Sequence, residues 1–208
     1  MSSIAPTAPS VLEAWNQAMF LHINAPVDTP LWLIELARFV AVVPMYALPF
    51  VLLGLWCWSE ARYRSAVLRA ILVTACGLLL SLLIGLAWPH PRPFALGLGH
   101  AWLAHAANAS FPSDHLTIFA CLAISLLFDE AYRVGLLLAA SGLAVGYCRV
   151  YLGIHFPLDM LGALALAAVS NSAAWLLWQR YGERLTRHLV SGYRRSLGPV
   201  IQRGWIRP

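Results

Sequence analysis

Long apolar stretches separated by short polar breaks set the rhythm of this chain. A membrane-spanning helix needs about 20 predominantly apolar residues. Five stretches meet or approach that length: Leu31 to Trp58, Val67 to Trp88, Leu116 to Phe128, Val134 to Tyr147 and Leu158 to Trp178. The first is long enough to tilt, with Asp28 or Thr29 placed to cap it and Pro30 suited to its first turn. The third and fourth are short, so their polar flanks fall partly inside the membrane envelope. Ahead of them, Val11 to Asn24 puts Leu12, Trp15, Met19 and Ile23 on one helical face and Glu13, Asn16 and Gln17 on the other. That pattern allows two placements, an amphipathic helix in the interface or a sixth, tilted span. The expectation is an all-α integral membrane protein, a bundle of about six helices. It forms a single membrane-embedded domain over residues 1–208, with an N-terminal amphipathic helix (11–24), five transmembrane spans and a basic cytoplasmic tail (179–208).

Composition agrees. The chain is 60% hydrophobic and only 11% charged, with mean hydropathy +0.69, whereas a soluble domain carries about 25% charged residues. The net charge of +5 comes from 14 Arg and no Lys, an excess suited to orienting a chain in a bilayer. No nucleic-acid-binding motif accompanies it, so nucleic acid is not an expected partner. Cys57, Cys76, Cys121 and Cys148 are scattered singly and read as packing residues. The start, MSSIAPTAPS, lacks the layout of a cleavable leader. Arg62, Arg64, Arg69, Arg133 and the Arg from Arg180 onward are expected to stay cytoplasmic. The breaks Pro89 to Asp114 and Cys148 to Pro157 then face outward. Trp56, Trp58, Trp175 and Trp178 mark the inner boundary, and Trp88 and Trp102 the outer one.

The outward breaks carry the candidate chemistry: WPHPRPF (Trp88 to Phe94), SFPSDH (Ser110 to His115) and CRVYLGIHFPLD (Cys148 to Asp159). Arg92 and Arg149 are the only Arg there, and two planar, always-charged forks suit phosphate oxygens. Ser113 is placed to cap a helix starting near Asp114, whose first-turn N–H groups would favour an anion. His155 is the candidate nucleophile. Asp159, four residues on, is placed to hold its other ring proton. His115 is the candidate general acid and then base. Spacing assigns no role to His90, His100 or His105. Asp114 would repel a phosphate unless paired. No carboxylate cluster of the kind that holds magnesium is present, and no metal or cofactor is expected. Glu35 and Arg38 lie one turn apart inside the first span, where charge is expensive. Two readings of the pair stand: Arg38 reaching toward the substrate, oriented by Glu35, or a mutually neutralising structural pair.

These motifs resemble those of the type 2 phosphatidic acid phosphatase (PAP2) superfamily. Pro112 to His115, P-S-D-H, is similar to its P-S-G-H signature; Arg149-x5-His155-x3-Asp159 is similar to S-R-x5-H-x3-D; Arg92-Pro93 matches the end of K-x6-R-P. With RVYLGIHFPLDMLG and a tail ending GWIR, the chain looks like the bacterial undecaprenyl-diphosphate phosphatase branch. It departs from the pattern at Gly85, where the family Lys would fall, at Cys148 for Ser, and at Asp114 for Gly. The resemblance implies a PAP2-like fold and metal-free hydrolysis of undecaprenyl diphosphate to undecaprenyl phosphate and phosphate through a phosphohistidine. The polyprenyl diphosphate and the bilayer would be its partners, and recycling of the cell-wall carrier lipid, a route to bacitracin resistance, its role. The site would face the periplasm from a bacterial inner membrane. Alternatives are another lipid phosphatase or phosphotransferase, acting on phosphatidate, phosphatidylglycerophosphate or a lipid A type substrate, or a non-catalytic lipid-binding protein.

Overall fold

The computed structural model describes residues 10–208; residues 1–9, most of the MSSIAPTAPS start on which the reading of no cleavable leader falls, lie outside them. The described chain is all-helical: α1 (Val11–Ile23), α2 (Leu31–Trp58), α3 (Arg62–Ala87), α4 (Asp114–Phe128), α5 (Tyr132–Tyr151), α6 (Pro157–Ser196) and α7 (Gly198–Gln202), with a 3-10 turn at Pro93–Leu96. Helices α2, α3, α5 and α6 are long and apolar enough to cross a membrane. Large apolar side chains such as Phe39, Phe50, Leu83, Leu137 and Leu176 point outward, while Arg64, Arg69, Arg92, Arg149, His155 and Asp159 are buried. This reversal of the soluble pattern is what a lipid surround demands, and the chain is a multi-pass membrane protein.

Helix α4 is the centre of the bundle, packed against α3, α5 and α6. Its Phe119, Leu122 and Leu126 are almost wholly buried. At 15 residues and about 1.5 Å per residue it is too short for a hydrocarbon layer of about 30 Å. It does not cross alone, and the irregular chain leading into it, with Ser110, Pro112 and Ser113 buried, is shielded by its neighbours. Close approach comes from small residues on the neighbours. A Cβ at Gly142 of α5 would stand 2.6 Å from Phe119 Cβ, and one at Gly146 would stand 3.0 Å from Met160 Sδ. This Gly-x3-Gly pair lets α5 lie directly on α4, with the Met160 side chain of α6 reaching Gly146.

Two expectations change. Pro30 is the N-cap of α2 and not its first-turn residue, and neither Asp28 nor Thr29 caps it. Helix α6 does not stop near Trp178; helix-forming residues with polar faces carry it on to Ser196, so much of the expected tail is helix. The final residues fold back, with Arg207 N–H donating to the Cys57 carbonyl at 2.8 Å. Helix α1 is amphipathic as expected, and its apolar Leu12 and Trp15 are 61% and 47% exposed while Asn16 and Phe20 are buried. It turns a largely polar face to the protein because that face has partners there. Glu13 meets His90 at 3.3 Å, and Asn16 Oδ1 accepts from Leu158 N–H at 3.0 Å. Just past the helix, Asn24 bonds His100 N–H and the carbonyls of His100 and Tyr151. Both ends of α1 thus hold the same end of the bundle, and the helix runs across it.

Candidate active site

The local sequence around His155 explains its geometry. Pro157 takes the first position of α6, where its missing N–H is harmless. Asp159, at the third position, reaches back to accept from Phe156 N–H at 2.8 Å, the carboxylate half of a capping box. The same oxygen, Oδ2, lies 3.0 Å from His155 Nδ1 and accepts from Ser110 Oγ. Capping the helix and holding the imidazole are therefore one act, and the four-residue spacing follows from the cap.

The other ring nitrogen is turned toward Arg92. Arg92 Nη1 donates to His155 Nε2 at 3.1 Å and to the Ile154 carbonyl at 2.8 Å. Arginine only donates, so Nε2 carries the lone pair and Nδ1 the proton directed at Asp159. Arg92 is otherwise fixed by Asn108 Oδ1 at 3.0 Å and the Ala109 carbonyl at 3.1 Å. Burial pushes its guanidinium below the usual arginine range, and the carboxylates of Asp159 and Asp114 offset part of this. Burial likewise pushes the His155 imidazole down to about 4, against the hydrogen bond and charge of Asp159 and with the charges of Arg92 and Arg149 adding to the fall. A neutral ring with a free electron pair is the result.

Arg149, from the last turn of α5, is 2% exposed. Among the described residues it donates no hydrogen bond, and its Nε is buried without a partner. An isolated buried guanidinium is costly unless an anion completes it. His115, in the first turn of α4, lies in the field of Arg149, His155, His105 and Arg92. The four groups singled out in the sequence, Arg92, Arg149, His115 and His155, thus share one recess with Asp159.

Other expectations resolve differently. Ser113 is the N-cap residue of α4 but makes no side-chain cap bond; its buried Oγ has no partner. The backbone turn already serves the helix start, with Thr117 N–H donating to the Ser113 carbonyl at 2.9 Å. Asp114 is paired, accepting from Ser81 Oγ at 2.6 Å. Arg38 is oriented by Glu35, at 2.5 Å, but its Nε and Nη2 both hold the Trp102 carbonyl. No hydrogen bond or ion pair joins it to the recess, and it acts as an anchor for the loop between α3 and α4. A Cβ at Gly85 would meet Ala109 Cβ at 3.2 Å, so the position of the family Lys is packed against that loop. Ser110, Asn108 and His105 went unassigned in the sequence. Ser110 opens a motif and carried a faint signal; the other two carried none, because only folding brings the loop over the recess. Among the described residues, no group of three or more His, Cys, Asp or Glu is arranged to hold a metal ion.

A helical membrane bundle that gathers two buried arginines, two imidazoles and a carboxylate at one end is the architecture of a membrane phosphatase. The PAP2 superfamily pattern matches residues 66–183, and the chain belongs to that superfamily. It is 36% identical over 197 residues to YbjG of Escherichia coli (strain K12), named as an undecaprenyl-diphosphatase, covering 95% of this chain and 100% of that protein. It is also 36% identical to the undecaprenyl-diphosphatase BcrC of Bacillus subtilis (strain 168), over 71% of this chain and 73% of that one. The crystal structure of Aquifex aeolicus LpxE superposes with a TM-score of 0.65 at 22% identity, covering 77% of this chain and 94% of that one.

Proposed function

We propose that this protein hydrolyses undecaprenyl diphosphate to undecaprenyl phosphate and inorganic phosphate. His155 Nε2 attacks the terminal phosphorus, the bond from phosphorus to the bridging oxygen breaks, and His115 supplies a proton to that oxygen. His115 then takes a proton from water as the water oxygen attacks phosphorus. The phosphorus–nitrogen bond breaks, and phosphate leaves with Nε2 restored. Arg92 gives up its bond to Nε2 when the phosphoryl group arrives and, with Arg149, holds the equatorial oxygens. The buried Ser113 hydroxyl and the first-turn amides of α4 are further donors. The observation that carries the reading is the pairing of His155, held by Asp159, with a buried Arg149 that has no hydrogen-bond partner among the described residues. The relatives' names supply the lipid.

The recess lies at the end of the bundle opposite Arg62, Arg64 and Arg133. Positive residues in short loops stay cytoplasmic, so the recess opens to the outer face of the bacterial inner membrane, the periplasm, with the end of α6 cytoplasmic. The test is phosphate release in detergent from undecaprenyl diphosphate, shorter prenyl diphosphates and phosphatidate, with excess chelator present. Undecaprenyl diphosphate should be turned over fastest, and His155→Ala should abolish release. Faster release from phosphatidate, or activity surviving in His155→Ala, defeats the proposal.

A further inference from the structure

The loop between α3 and α4 brings a third imidazole to the recess. His105 stands edge-on to His155, with ring centroids 6.3 Å apart and planes at 70°. It is half-buried. The charged and titratable groups around it come from each neighbouring element: Arg92 from its own loop, Arg149 from α5, Asp114 and His115 from the start of α4, and His155 from the turn before α6. His105 Nδ1–H donates to the Ala106 carbonyl at 3.0 Å, which leaves Nε2 as its free nitrogen. It makes no hydrogen bond to His155.

Resting on the reading of the substrate as a diphosphate lipid, we propose that His105 binds an oxygen of the second, non-transferred phosphate and makes the site prefer a diphosphate to a single phosphate. The chain has no Lys. Arg92 spends its donors on Asn108, Ala109, Ile154 and His155, so Arg149 is the one guanidinium free of protein partners among the described recess residues. One free cation does not match two phosphates. In-line displacement puts the bridging oxygen and second phosphate on the far side of phosphorus from the attacking nitrogen. Reacting atoms stand about 3–3.5 Å apart before attack, so an imidazole that flanks His155 at a ring separation of 6.3 Å, without bonding to it, is within reach of the second phosphate. Burial, followed by the charges of Arg92 and Arg149, holds the His105 imidazole below the usual histidine range, against the Ala106 carbonyl and Asp114. A bound diphosphate adds negative charge and cancels those cations. The pKa rises and His105 takes up a proton, so diphosphate binds more tightly as pH falls.

The experiment compares binding of imidodiphosphate, which resists hydrolysis, with binding of orthophosphate to the purified protein in detergent. His105→Gln should weaken imidodiphosphate by about 10-fold or more, the effect of losing one charge-assisted hydrogen bond, and orthophosphate by less than ~3-fold. Between about pH 8 and 6, wild-type affinity for imidodiphosphate should rise more steeply than that of His105→Gln, which retains the protonation of the ligand and of the other two imidazoles but loses that of His105. His105→Lys should restore affinity at the upper pH, which separates a lost contact from a misfolded loop. Equal imidodiphosphate affinity in wild type and His105→Gln, an equal loss of both ligands, or no rescue by Lys overturns the assignment. Because these measurements use no lipid, failure of the wild type to hydrolyse a diphosphate lipid counts against the proposed function and not against His105.

Discussion

Replacing Asp159 with Asn tests the proposed relay most directly. Its Oδ2 accepts from His155 Nδ1 at 3.0 Å, from Phe156 N–H at 2.8 Å and from Ser110. Asparagine keeps the shape and can still accept from Phe156. What it removes is the negative charge facing a ring that becomes cationic as phosphorus bonds to Nε2. Two unit charges about 4 Å apart interact by about 4 kcal/mol at an effective dielectric near 20. Each 1.4 kcal/mol is about tenfold in rate, so kcat should fall by about 10³-fold. Because one oxygen serves both Phe156 N–H and His155 Nδ1, the amide oxygen keeps that place and the loss is one of charge. The assay is initial-rate phosphate release in detergent, with kcat and KM separated and folding followed by thermal unfolding. KM should change by less than ~3-fold, because the arginines that would hold substrate remain. A folded Asp159→Asn protein keeping more than about a tenth of wild-type kcat refutes the reasoning.

Two further outcomes follow from burial. Arg149→Met removes a buried charge that has no partner among the described residues, so the unfolding midpoint should hold or rise while orthophosphate affinity falls by about 10- to 100-fold; a clear drop in the midpoint would show that Arg149 is structural. His155, pushed down to about 4, is neutral in both the folded and the unfolded chain above its ordinary value of about 6.5. Between about 6.5 and 4 the unfolded chain binds a proton that the folded ring refuses, so stability is full above this window and is lost as pH falls through it. Thermal unfolding from pH 7 to 4 should show that decline, His155→Gln should flatten it, and a His155 resonance titrating near 6.5 would contradict it.

The apolar runs were legible because a bilayer imposes length and composition on every span, whatever its neighbours. The motif residues were legible because buried charge beside helix ends is too costly to be casual. The capping turn H-F-P-L-D even encodes the His155–Asp159 contact locally, since Pro157 and Asp159 start the helix that joins them. Local rules failed where partners come from afar. Ser113 occupies a cap position without capping. Arg38 holds the Trp102 carbonyl, 64 positions away. Helix α1 turns Asn16 and Glu13 inward because Leu158 and His90 are there to receive them.

By itself, the sequence determined that this is a helical membrane protein and singled out the arginines, imidazoles and carboxylate that the fold brings together, because hydropathy and helix capping act over a few residues. Only the tertiary structure decided that Arg92 is pinned while Arg149 is free, and that Ser110 and His105 join the recess. Those outcomes depend on how a loop of irregular backbone closes over the short helix α4, and loop closure is governed by contacts between residues far apart in the chain.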